Sequence, residues 1–278
     1  MVERKLKVEK VNYTSPDKKE SEDACIINHE AGIYGVLDGA TPLDEFQDEQ
    51  GHNGAYVAAR IFKEHFESLA SSADLTKEVR EANSKLYHQM LAYGIDVSEG
   101  YKRWSTCVAI VQVEETHINY VQLGDSMIVA GYTHKSAKLL TQDTVKGISS
   151  RAKLKRASDR ANGIDVFDEK YYENKLNQLR YNRSLANQPG GYTVANGMKE
   201  ANLYLQKGRI STEDLTEVLL VTDGLFHPDY DLMDSYHQIK TIGLTPYIYN
   251  LTKNLEDRVM PVDDRTAVRI TFNSSYSE

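Results

Sequence analysis

Five acidic stretches carry the chemistry this sequence can offer: Glu22-Asp23, Asp38-Gly39, Gly124-Asp125-Ser126, Asp223-Gly224 and Asp263-Asp264. Asp38-Gly39 closes the apolar run Ile33-Tyr34-Gly35-Val36-Leu37, and Asp223-Gly224 closes Val218-Leu219-Leu220-Val221-Thr222. Each run reads as a buried strand. A strand ending in Asp-Gly sets a carboxylate beside a residue that bends freely and can turn a carbonyl outward. That combination suits a hard cation. Asp-Gly after a strand is also a common turn signal, so the weight lies on the recurrence of the device. Carboxylates crowded at one end of a sheet repel one another and persist when cations neutralise them.

The donor types narrow the metal. Oxygen ligands favour Mg or Mn over zinc, since the eight histidines show no HExxH-type spacing and the two cysteines, Cys25 and Cys107, are far apart. Two such ions a few ångströms apart would bind a bridging water, lower its pKa and aim it at phosphorus. Phosphoester hydrolysis needs little else, because phosphoryl transfer depends on positioning and charge neutralisation. Other phosphate chemistries lack their parts. No glycine precedes a lysine, which excludes a Walker A loop, and no glycines fall two apart as a dinucleotide fingerprint requires. A cysteine-based phosphatase needs an arginine six residues after its thiolate, where this chain has Ala31 and Val113.

The elements that must position these acids follow from periodicity. Lys5 to Tyr13 alternates as a half-exposed strand, and Ala24 to Asn28 forms a second strand behind the polar loop that ends in Glu22-Asp23. A hairpin through Glu30-Ala31-Gly32 would bring Glu22-Asp23 and Asp38 together. Two amphipathic helices follow, with stripes at Ala55, Ala59, Phe62, Phe66, Leu69 and at Leu75, Val79, Ala82, Leu86, Met90. Thr106 to Val113, Ile118 to Leu123, Met127 to Gly131 and Lys138 to Leu140 are expected as an antiparallel meander, with a turn at Gly124-Asp125-Ser126. Ser211-Thr212-Glu213-Asp214 has the form of a capping sequence. A helix is expected from Pro246 to Asp257 and a last strand from Ala267 to Phe272. Blocks of strands separated by blocks of helices predict an α+β fold over a doubly wound one.

Residues 145–191 differ in character: Lys146, Arg151, Lys153, Lys155, Arg156 and Arg160 form a basic run ahead of a tyrosine-rich charged stretch. The segment reads as a pair of solvated helices in a surface insertion of one 1–278 domain. Its functional alternative is a flap that guides an anionic partner toward the metals.

Composition sets the remaining bounds. Of 278 residues, 40% are hydrophobic and 27% charged, as in an ordinary soluble protein. The formal charge of -8 argues against a nucleic-acid partner. No apolar run approaches bilayer length, and Met1-Val2-Glu3-Arg4-Lys5 lacks a signal peptide's apolar core, so a cytoplasmic location is expected. Cys25 and Cys107 lie in strand-like runs and read as buried small hydrophobes, without a disulfide framework.

Taken in order, Glu22-Asp23, Val36-Leu37-Asp38-Gly39, Ser105-Thr106, Gly124-Asp125-Ser126, Leu220-Val221-Thr222-Asp223-Gly224 and Asp263-Asp264-Arg265-Thr266 resemble the type 2C metal-dependent serine/threonine phosphatases, in particular members of bacterial type. The resemblance spans about Lys18 to Phe272 and implies a four-layer α-β-β-α sandwich with two central antiparallel sheets and a binuclear Mn or Mg centre in the cleft between them. By that likeness Asp38 bridges both ions, Glu22 and the Gly39 carbonyl hold one, and Asp223 and Asp263 hold the other. Asp264 is the lesser candidate of its pair, and Asp125 matches a position that helps hold a third, weaker ion. Lys18 stands where relatives commonly carry an arginine that grips the substrate phosphate, and a lysine offers a point charge without a bidentate fork. His227 stands where many relatives have an Asp, which leaves Asp229 as a substitute ligand for the third ion. Ala40 takes the place of a histidine proposed as general acid in some eukaryotic members. The implied activity is hydrolysis of phosphoserine and phosphothreonine in proteins by a metal-bound hydroxide. The alternative is a catalytically silent module that binds a phosphoprotein. Oligomeric state is not legible.

Overall fold

The computed structural model describes residues 5–43 and 45–273. The charged start, Met1 to Arg4, lies outside them. One sheet runs in the order β1 (Lys5–Tyr13), β10 (Arg265–Asn273), β9 (Leu215–Val221), β6 (Met127–Tyr132), β7 (Lys138–Leu139). The other runs β2 (Ala24–Asn28), β3 (Ile33–Gly39), β4 (Thr106–Val113), β5 (His117–Leu123), β8 (Gln206–Ser211). Every pairing between these strands is antiparallel. Helices α1 (Gly54–Glu67) and α2 (Leu75–Ala92) cover the second sheet, while α5 (Leu232–Ile242) and α6 (Leu244–Asp257) cover the first. The result is the expected α-β-β-α stack.

The layers follow from the two-residue period of a strand. On β3, Ile33 and Leu37 pack under α1 and α2 with Phe62, Phe66 and Leu86, whereas Tyr34 and Val36 face the other sheet. On β9, Leu219 and Val221 pack under α5 and α6, and Val218 and Leu220 meet Val36, Ala109 and Ile270 between the sheets. Val36 and Val218 are fully buried in this middle layer. Continuing the same alternation past the strand ends sends Asp38, Asp23 and Thr222 toward the gap between the sheets. One-residue slips would turn them outward.

Two local expectations change. Strands β5 and β6 do not form a meander: they part at Gly124-Asp125-Ser126, β5 pairing with β4 and β8 and β6 with β7 and β9. Alternation identifies a strand's faces but not its neighbours, and Gly124, with φ of +95°, lets the chain cross between sheets. Ser211 to Asp214 caps no helix. It turns the chain from β8 to β9, with Asp214 at φ +59° and its carbonyl accepting from Thr133 N.

Residues 145–191 do carry two helices, α3 (Ile148–Ala161) and α4 (Lys175–Ser184). Their basic groups are largely spent inside the segment. The Arg156 guanidinium is buried, donates to both Glu169 oxygens at 3.0 and 2.8 Å and stacks on Tyr172 and Tyr181. Arg160 also reaches Glu169, Arg151 donates to the carbonyls of Thr144 and Gly191, and Lys155 pairs with Asp159. The basic run is the segment's own scaffold more than a free cationic face.

Candidate metal centre

The acids predicted from sequence converge at one end of the gap between the sheets. Asp38 closes β3 opposite Cys107 of β4 and lies half-buried, with the Asp223 carboxyl close beside it. Asp223 opens the 3-10 turn Asp223–Leu225 directly after β9. Its outer side keeps solvent access, yet the protein atoms around it still strip hydration from its charge. Gly224 is required here, since a Cβ would stand 1.8 Å from the Asp264 carbonyl oxygen. That close approach seats Asp223 beside Asp263. At Gly39 a Cβ would fall 2.6 Å from the Glu22 carbonyl oxygen and 2.8 Å from that of Ala55, so only glycine lets β3 end against the Glu22 loop.

Burial and mutual repulsion dominate the electrostatics. Loss of hydration, followed by the charges of Asp223, Asp23 and Asp125, holds the Asp38 carboxyl well above the usual range. Asp23 is pushed up to about 8, chiefly by burial, against a hydrogen bond from Thr222 Oγ1 at 2.8 Å. Asp125 is pushed up to about 7, again by burial first and then by Asp223, while the Cys107 thiol beside it works the other way. Burial, then Asp263, raises Asp223, with Asp143 adding to the repulsion. So many disfavoured charges in one place mark a site whose natural occupants are cations.

The remaining predicted residues form the rim. Glu22 is buried, and its Oε2 accepts from Lys18 Nζ and Thr41 Oγ1, both at 2.8 Å; Oε1 accepts from Asn53 Nδ2. Asp263 is exposed, with Oδ1 accepting from Asp264 N at 2.8 Å and Lys18 Nζ at 3.2 Å. Lys18 thus lies against the ligand set. Burial opposes its charge, but hydrogen bonds to Glu22 and Asp264 outweigh that and raise its pKa. Asp264 is turned inward and held at both oxygens: Oδ1 accepts from Ser15 N at 2.7 Å, and Oδ2 from Glu22 N and Lys18 Nζ, both at 2.9 Å. Asp229, the substitute third-ion ligand, is not brought in. Arg258 holds both its oxygens at 2.6 and 3.1 Å, and His227 stacks on Tyr230 instead.

Three groups escaped the sequence reading. Asp143 faces Asp125 and Asp223, and its Oδ1 accepts from Val145 N and Lys146 N at 2.8 Å. Its signal was present, since it too follows a strand in Leu139-Leu140-Thr141-Gln142-Asp143. Thr41 and Asn53 orient Glu22 and carry no motif. Arg183 of α4 donates to the Thr41 carbonyl at 2.7 Å and to Ser105 Oγ at 3.3 Å, tying residues 145–191 to the loop after Gly39.

The donor set fits a hard divalent cation. Every candidate ligand offers oxygen, and the buried Asp125 Oδ1 has no hydrogen-bond partner among the described residues. As threes, though, the cleft carboxylates are splayed. Among the described residues the one trio whose ligand atoms all lie within 4.8 Å is His65, Glu78 and Glu81, elsewhere on α1 and α2. That trio is a closed chain in which Lys85 Nζ contacts His65 Nδ1 at 2.8 Å and Nε2 meets Glu78 at 2.8 Å.

An acid-lined gap between two antiparallel sheets, each backed by helices, defines the class. The family model for Protein phosphatase 2C matches residues 16–263. The chain belongs to that family and, by membership, is a protein serine/threonine phosphatase. Among solved structures it is similar to the serine/threonine phosphatase Stp1 from Staphylococcus aureus, with 16% identity and a TM-score of 0.59 over 97% of this chain and 96% of that one. It is similar as well to the Mycobacterium tuberculosis serine/threonine phosphatase PstP/Ppp, with 15% identity and a TM-score of 0.60 over 97% and 99%. A structure of the catalytic domain of PstP in complex with two manganese ions matches with 13% identity and a TM-score of 0.58 over 97% and 99%. No curated protein matches the sequence. Among the described residues no helix is long and apolar enough to cross a membrane.

Proposed function

We propose that the chain removes phosphate from phosphoserine and phosphothreonine in proteins at a binuclear Mn or Mg centre in the cleft. The carrying observation is the apposition of Asp38 and Asp223, crowded by Asp23, Asp125 and Asp263 at the ends of strands from both sheets. Asp38 would touch both ions, Glu22 and the Gly39 carbonyl one of them, and Asp223 and Asp263 the other. Asp125 is the candidate for a third, now with Asp143 beside it in place of Asp229. When bound, such ions neutralise the phosphoryl group and acidify a water for attack on phosphorus.

The chain's own residues then have distinct tasks. Burial and the neighbouring acids favour a proton on Asp38, and that proton must leave before the carboxyl can serve as a ligand. Thr41 and Asn53 hold Glu22 by its two oxygens and fix its orientation. Lys18 is the nearest cation to the rim and the candidate grip on the substrate phosphate. Residues 145–191 belong to the same catalytic unit as a surface flap, moored by Arg183.

The test is hydrolysis of p-nitrophenyl phosphate and of a phosphothreonine peptide with added manganese, compared with chelator and with Asp38→Ala. Manganese-dependent turnover that disappears in the variant supports the proposal. Tight manganese binding without turnover of either substrate would select the silent phosphoprotein-binding module.

A further inference from the structure

The three carboxylates around Lys18 are not equivalent. Asp264 is 3% exposed and is already fixed by the backbone N–H groups of Ser15 and Glu22, so its partnership with Lys18 is a buried ion pair anchored from below. Glu22 and Asp263 are candidate ligands of two different ions, and Asp263, with its side chain 62% exposed, has few other restraints. An ammonium has three N–H donors. At 2.8, 2.9 and 3.2 Å from Glu22, Asp264 and Asp263, Lys18 spends all three on carboxylates and cross-links the two halves of the ligand set.

We propose that Lys18 is a built-in counter-ion: in the metal-free protein it holds Glu22 and Asp263 in place, and it releases both when divalent ions arrive, pivoting on Asp264. The inference rests on the metal-centre reading above. Its physical basis is competition, since an ammonium and a divalent ion cannot share the same oxygens without strong repulsion. The four-carbon lysine stem is flexible enough to move the charge away with the backbone still. Asp264 remains as its partner throughout, because the backbone N–H groups of Ser15 and Glu22 fix its two oxygens below the rim. The second acid of Asp263-Asp264 therefore serves as the seat of the displaced cation.

The experiment compares the whole chain with Lys18→Met and Lys18→Arg. Manganese affinity is measured by calorimetry, and urea unfolding is followed in excess chelator. Lys18→Met should bind manganese about tenfold tighter, equivalent to roughly 1.4 kcal/mol, while its chelator-treated form unfolds at lower urea. Lys18→Arg should stay close to the parent in both. Unchanged or weaker manganese binding by a folded Lys18→Met overturns the proposal. A measurement on the unaltered chain covers the case in which Lys18→Met does not fold. Acylation of Lys18 by a succinimidyl ester, read by mass spectrometry, should be slow in chelator and severalfold faster with manganese, and an unchanged rate overturns it equally. The two readings fail separately. A chain that binds manganese in competition with Lys18 but turns nothing over refutes only the phosphatase, and one that turns over with manganese indifferent to Lys18 refutes only the counter-ion. Absence of manganese binding refutes both.

Discussion

Stripping divalent ions with chelator and raising the pH from about 6.5 to 8 should destabilise the protein. Asp23 is pushed up to about 8 and Asp125 to about 7, from 3.8, and Asp38 is also held well above that value. Across this window the unfolded chain carries all three as carboxylates. The folded, metal-free chain keeps the Asp23 proton over most of this window and part of the Asp125 proton, and the raised Asp38 acts in the same direction. Folding therefore binds protons, and stability must fall as pH rises. Each such proton is worth about 1.4 kcal/mol per pH unit, so Asp23 alone costs roughly 1.5–2 kcal/mol over the window, and the raised Asp38 and Asp125 add to the loss. His65 and His227, whose pKa values are lowered mainly by burial, act oppositely: they add stability as pH rises toward 6.5 and contribute little change beyond it. Starting near 6.5 separates the two effects. Trp104, the single tryptophan and 1% exposed, reports urea unfolding by fluorescence. With manganese present the loss should shrink or reverse, because ions need the deprotonated acids and bind better as pH rises. Metal-free stability that stays level or climbs between 6.5 and 8 would refute the electrostatic account of the cleft.

The same reasoning makes Asp38→Asn more stable than the parent in chelator at pH 8, by about 1–2 kcal/mol in urea titrations, because an amide donates to Asp223 without a charge to neutralise. Manganese-dependent turnover of the small ester should fall at least about a hundredfold in that variant. Gly224→Ala forces a methyl against the Asp264 carbonyl and should cost about 1–3 kcal/mol, read as a lower urea midpoint together with weaker manganese binding. Arg156→Met removes a buried, doubly bonded guanidinium, but Glu169 is partly exposed and keeps Arg160, so the loss should be about 1–3 kcal/mol. Because the lost contacts all lie within residues 145–191, limited proteolysis should cut there first, while turnover of the small ester changes less than twofold.

Much of the fold could be read because strands and helices here have one apolar face each. The stripes at Phe62 and Phe66 and at Leu86 and Met90 mark α1 and α2, and the hairpin from Ala24 to Gly39 follows from two apolar runs joined by Gly32 at φ +66°. Sheet membership is less local. Nothing in Ile118 to Gly131 distinguishes a hairpin from a crossover, since the choice is made by the partners, β8 for one strand and β9 for the other. Strand β8, Gln206–Ser211, alternates half-buried and exposed at a sheet edge and gives a weak apolar signal. Helix α5 buries only Ser235, Tyr236 and Ile239, too few to form a clear stripe. The acids of the candidate site were visible as strand endings. Thr41, Asn53 and Arg183 were not, because a residue that acts by holding another carries no spacing of its own.

The paired acids Glu22-Asp23 and Asp263-Asp264 show how adjacency in sequence becomes division of labour. Successive residues of an extended chain point to opposite sides, so one acid of each pair reaches the rim while the other turns inward. The inward members bind the two sheets to each other. Asp23, at the entry to β2, accepts from Thr222 at the exit of β9, whose Oγ1 in turn accepts from Thr266 N of β10 at 3.0 Å. Asp264, at the entry to β10, accepts from Ser15 N after β1 and from Glu22 N before β2. Both links cross the gap just where the rim acids meet, and both are buried, where a satisfied polar contact is firm and a broken one costly. The strand ends that carry Asp38 and Asp223 are therefore braced against each other by these inward acids, and the gap at the candidate site takes its width from them.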